Sequence, residues 1–131
     1  METKKKNKEH LDTLHFEHER WVKQLAFYKD ELKTYTNRLE DIAQRYTGRE
    51  VMQKLEHFQN QFIRQNEVID ILTHDINEHE QILVDSVKEN PVASDHRLFD
   101  DHGGLRDRME TFLKIYNELK PEFMRYLTKY M

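Results

Sequence analysis

Cysteine is absent from the sequence, glycine occurs three times, proline twice and tryptophan once. Without cysteine there is no disulfide framework, no thiolate metal site and no thiol nucleophile. So few glycines and prolines leave little provision for the many tight turns of a sheet protein. No apolar run approaches the ~20 residues that a membrane-spanning helix requires. The lysines at Lys4, Lys5, Lys6 and Lys8 form the main basic block and lead into no apolar core, so no signal peptide is expected. Acids and bases are otherwise interspersed, and the net charge of −4 gives no field suited to a nucleic-acid partner. Neither a glycine-rich phosphate loop nor a nucleophile with a positioned base is visible, so a non-enzymatic protein is expected. These exclusions leave a cytoplasmic protein with no membrane segment, in a single domain of 131 residues.

What is present is charge and heptad periodicity. Charged residues make up 35% of the chain and hydrophobic ones 37%. From Leu11 the seam residues step by three and four through Leu14, His18, Trp21, Leu25, Tyr28, Leu32, Tyr35, Leu39, Ile42 and Tyr46. That spacing predicts one long helix of roughly 60 Å. The frame then breaks: Val51, Leu55, Phe58 and Phe62 lie two residues out of phase, which is about 200° of helix rotation. Gly48 sits at the break, and Thr47 with Glu50 reads as a capping box. A tight turn between antiparallel helices accounts for all of this.

The second seam continues through Gln65, Ile69, Leu72, Ile76, His79 and Leu83 and stops before Pro91. A third runs Leu105, Met109, Phe112, Tyr116, Leu119, Phe123, Tyr126 and Tyr130, with a kink or break expected at Pro121. The fold class expected is all-α: an antiparallel up-down-up three-helix bundle, or coiled coil, with two long helices and a shorter third. Its boundaries are a frayed N-terminus over 1–8, helices over about 8–46 and 48–89, a linker over 90–104, and a helix over about 105–130. The pattern resembles that of spectrin-like three-helix coiled coils, and no functional residue is carried over from it. Within the linker, Ser94 and Asp95 read as caps and Leu98-Phe99 as a plug. Asp95, His96, Asp100, Asp101 and His102 beside Gly103-Gly104 read as a solvated acidic loop.

Two seam positions are histidine. If Tyr46 packs level with Val51, then Trp21 meets Ile76, Leu14 meets Leu83, and His18 meets His79 in one layer. His15 lies three residues before His18, and Asp75 four before His79. His15, His18, Asp75 and His79 therefore form a candidate metal site for zinc or another first-row transition metal. The alternative is a buried polar layer that fixes register, as a seam asparagine does. The motifs of known metal bundles are missing: there is no Glu-x-x-His, no His-x-x-x-His and no His-Glu-x-x-His.

A helix starting at Leu105 would run out level with residue 60. It would leave Leu39, Ile42, Leu55 and Phe58 as an uncovered apolar strip at the hairpin tip. Such a strip predicts a protein partner or a homo-oligomer, so the function expected is protein–protein interaction or self-association, with metal binding as the alternative.

Overall fold

The computed structural model describes the backbone of residues 2–89 and 95–131, and the side chains of 11–88 and 98–131. Among the described residues the chain is all-helical, with three helices: α1 (Glu2–Arg45), α2 (Arg49–Glu89) and α3 (Asp95–Tyr130). Each helix carries the seam that its heptads predict, and each has a basic residue in its last turn, Arg45, Lys88 or Lys129, that complements the helix dipole. The chain is non-helical over 46–48, where the heptad frame breaks. The Met52 amide donates to the Gly48 carbonyl at 3.1 Å, so the first bond of α2 closes on Gly48 rather than on Thr47. None of the described helices is long and apolar enough to cross a membrane.

α3 differs from expectation. It begins at Asp95, well before Leu105, and carries Gly103-Gly104 inside it. The physical reason is the seam, which runs back through the glycines: Leu98 and His102 lie four and three residues apart from each other and from Leu105, and all three are buried. Packing of that stripe outweighs the weak helix propensity of two glycines. α3 also runs uninterrupted past Pro121, with Phe123 and Tyr126 buried on its far side. Ser94, and the side chains of Asp95 and His96, fall outside the described residues.

The helices divide between two compact units. The first comprises the chain up to Leu25 together with Ile71–Glu110. At its core Leu11 and Leu14 of α1, Leu83 of α2 and Leu98 of α3 form a buried cluster, with Phe99 packed against it. Arg106 of α3 reaches Glu17 of α1 at 2.6 Å, and Arg108 reaches Asp75 of α2 at 2.8 Å. These cross-helix pairs are half-exposed and contribute little individually.

The second unit comprises Ala26–Asp70 and Thr111–Met131. Its core is aromatic. Phe123 is fully buried, with ring centroids 4.8 Å from Tyr35, 4.9 Å from Phe62 and 5.4 Å from Phe58. Such tilted and edge-to-face pairs each add about 0.5–1.5 kcal/mol to the burial of the rings. Tyr116 donates to Glu31 Oε1 at 2.6 Å and Lys120 donates to Oε2 at 3.3 Å. Burial alone would raise the Glu31 pKa, but these donors, with Tyr35, hold it below its ordinary value.

The apolar strip expected at the hairpin tip is not exposed. Leu39, Ile42, Leu55 and Phe58 are 3%, 0%, 6% and 3% accessible. The longer α3 covers them: Phe58 packs on Tyr126, the Tyr126 hydroxyl donates to the Val51 carbonyl at 3.0 Å, and Tyr130 meets Tyr46.

Candidate metal centre

The first unit buries three histidines. His18 stands on α1 between Leu14 and Trp21, His79 on α2 between Ile76 and Leu83, and His102 on α3 between Leu98 and Leu105. Each occupies a seam position that its neighbours fill with apolar side chains, so the heptad geometry turns all three rings inward. They are 2%, 6% and 1% accessible. Trp21 stacks on His102, with ring centroids 4.8 Å apart, and closes one side of the layer.

Three ring nitrogens converge. His18 Nε2 lies 3.1 Å from His79 Nδ1 and 3.1 Å from His102 Nδ1. One ligand atom from each histidine falls within 4.8 Å of the other two. A tetrahedral zinc ion with Zn–N bonds of 2.0–2.1 Å holds its nitrogens about 3.3 Å apart, so the observed spacing is close to that of three imidazoles on one ion.

Carboxylates sit behind two of the rings. Glu80 Oε2 accepts from His18 Nδ1 at 2.6 Å, which leaves the Nε2 lone pair aimed at the centre. Its other oxygen pairs with His15 Nδ1. Glu17 Oε1 lies 3.5 Å from His102 Nε2, beyond hydrogen-bond distance but close enough to attract a proton there. A carboxylate behind a histidine fixes its tautomer and raises its basicity as a ligand. The outer nitrogens of His79 and His102 are buried and lack hydrogen-bond partners.

The electrostatics oppose charge on His79 and His102. Burial, and then the neighbouring His18, push the His79 pKa below its ordinary value, against a weaker upward pull from Asp101, the Leu98 backbone and Glu80. The same two causes push His102 down to about 4, with Glu17 acting against them. Neutral imidazoles are the form that binds a metal. His15, half-exposed, moves the other way: its hydrogen bond to Glu80 raises its pKa. Burial would raise the Glu17 pKa, but Arg106 and His102 hold it low.

Of the four residues expected to converge, the structure brings two together. His18 and His79 face each other, with centroids 5.0 Å apart. His15 is not in the layer; it touches it only through Glu80. Asp75 is outside as well. Its carboxylate turns to Arg108 of α3, and that guanidinium is the first cause of its lowered pKa. The shift of α3 toward the chain start brings Arg108 level with Asp75. The third histidine, His102, belongs to the stretch expected to be loop. Its sequence signal is the spacing Leu98, His102, Leu105, Met109, which continues the heptad across the glycines.

On the outer side of His79 lies a cleft of about 370 Å³, whose wall includes Asp75, Glu78, Asp100 and Asp101. No protein-family model, curated protein or solved structure matches the chain, so the residues themselves carry the functional reading.

Proposed function

We propose that this protein binds a first-row transition metal, zinc foremost, through His18 Nε2, His79 Nδ1 and His102 Nδ1. Glu80 and Glu17 orient the rings from behind. The observation that carries the reading is the convergence of three buried ring nitrogens, two of them 3.1 Å from the third. Imidazole ligands suit zinc, copper, iron or nickel, and three of them leave a fourth position for water or another ligand. The ion would stabilise the folded chain, because the three histidines come from three helices and are scattered in the unfolded one.

A polar layer that fixes register is the second reading, favoured by the hydrogen-bond distances between the rings. It leaves a difficulty that metal removes. The single lone pair of His18 Nε2 faces two potential donors, His79 Nδ1 and His102 Nδ1, each 3.1 Å away, and can satisfy only one of them well. Thermal unfolding of tag-free wild type and His18→Leu, with and without zinc, separates the two. As a metal site, the wild-type midpoint rises with zinc and the variant's does not. As a structural layer, neither moves, and the leucine variant is as stable as wild type or more so.

We infer further that the helices run up, down and up. In the second unit Lys29 pairs with Asp70 and Tyr35 with Phe62, so numbers fall along α2 as they rise along α1. Tyr28, Tyr35 and Tyr46 meet Phe112, Phe123 and Tyr130 in turn, rising together on α1 and α3. Interaction with a protein partner has no support from Leu39, Ile42, Leu55 and Phe58, which are buried.

A further inference from the structure

Gly103 and Gly104 follow His102 directly, inside α3. Neither has a positive φ, and a Cβ added at either position meets nothing within 4 Å. Alanine would fit at both sites and would favour the helix by about fivefold at each. The closed structure therefore gives no reason for glycine here. An opening helix does: a glycine pair is where α3 separates most cheaply.

The turn ahead of the pair carries Leu98 and His102, both buried, and their release would uncover the histidine layer. Some such motion is required for loading. With all three ligands buried, a hydrated ion cannot reach them through the closed structure. The acidic cleft adjoins this hinge. Gly104 and His79 lie on its wall with Asp75, Glu78, Asp100 and Asp101. The ring of His79 borders the cleft, and its buried outer nitrogen is without a hydrogen-bond partner; in the tautomer protonated at Nδ1, the ring's one lone pair sits on that outer nitrogen. Clustered carboxylates in a cleft raise the local concentration of cations and the rate of their capture. Arg108 is partly neutralised by Asp75 and does not reverse that sign.

Building on the metal reading, we propose that α3 hinges at Gly103-Gly104, that the ion enters through the carboxylate-lined cleft by way of His79, and that His102 closes over it as the last ligand. Opening governs both entry and exit, so welding the hinge slows both.

The test is stopped-flow zinc loading, and zinc release to a chromophoric chelator, on tag-free wild type and the Gly103→Ala/Gly104→Ala double variant. Both substitutions favour helix, so the variant folds. Loading and release are each expected to slow by roughly tenfold or more, with the affinity unchanged or tighter. Asp100→Asn/Asp101→Asn is expected to slow loading, and to weaken its dependence on ionic strength, while leaving release at the wild-type rate. Amide exchange at Leu98–His102 is expected to fall in the alanine variant without metal. Wild-type rates or wild-type exchange in the double variant would overturn the hinge while leaving the metal centre standing. Loading at the wild-type rate in the aspartate variant would overturn the cleft as the route. A wild-type protein that takes up no zinc would overturn the metal reading itself, and this proposal with it.

Discussion

His18 Nε2 faces two nitrogens at once, His79 Nδ1 and His102 Nδ1, each 3.1 Å away. Membership of that trio is decided by where the rings point, not by closeness in sequence. His102→Ala is therefore expected to cut sharply the zinc-dependent rise in unfolding midpoint, and Asp75→Asn to leave it intact. At zinc concentrations 100 times Kd the stabilisation in wild type and Asp75→Asn is about 2.7 kcal/mol. Equal loss in both variants, read by thermal unfolding with zinc, would restore Asp75 to the site.

The zinc-free protein should be acid-sensitive in a defined window. The folded pKa values of His79 and His102 lie below 6.5, that of His102 at about 4. Their contribution is present above the unfolded value and is lost as pH falls through it toward the folded value. The groups facing His102 are His18, Glu17 and Arg106, and those acting on His79 are His18, Asp101 and Glu80. His15 has the opposite sign: its raised pKa adds stability below 6.5 that is lost as pH rises through the folded value, and its exposure weakens the effect. Between pH 6.5 and 4.5 wild type should lose on the order of 2 kcal/mol relative to His102→Leu. Urea midpoints for the two proteins across this range check the sign. A flat difference would contradict the depressed pKa of His102.

Much of this arrangement is legible in the sequence. The step from Tyr46 to Val51 across Gly48 gives the register that sets His18 opposite His79 and Tyr35 opposite Phe62. The start of α3 is the exception. Gly103-Gly104 has the composition of a break, yet Leu98 and His102 keep the heptad going on its far side. Reading the glycines over the stripe moves α3 along the bundle, exposes the hairpin tip on paper and hides the third ligand. The roles of the carboxylates are not legible in the sequence for another reason. Glu17, Asp75 and Glu80 all flank seam positions, and which of them turns to a histidine depends on where Arg106 and Arg108 of α3 lie.

The buried tip changes what substitutions there do. Phe123→Ala removes the ring at the centre of the second unit's aromatic cluster and is expected to cost about 3–5 kcal/mol. Leu39→Glu or Phe58→Glu should likewise unfold the chain rather than dissociate an oligomer, because a carboxylate would replace a side chain that is 3% accessible. Circular dichroism melts check both. A fully folded Phe58→Glu protein would show that α3 does not cover the tip.

Gln65 is a seam residue of the second unit, 3% accessible, and its Oε1 has no hydrogen-bond partner. Gln65→Leu removes a desolvated polar group while keeping its volume. We expect a gain of about 1 kcal/mol in urea unfolding. A loss of similar size would mean that the amide is satisfied within the core.

X-ray absorption at the zinc edge of the one-to-one zinc complex tests the three-histidine centre most directly. The expected spectrum has a nitrogen shell at about 2.0–2.1 Å with the outer-shell scattering of three imidazoles, and it loses one imidazole in His102→Ala. A zinc shell of six oxygens without imidazole scattering, unchanged in His102→Ala, would contradict the metal centre.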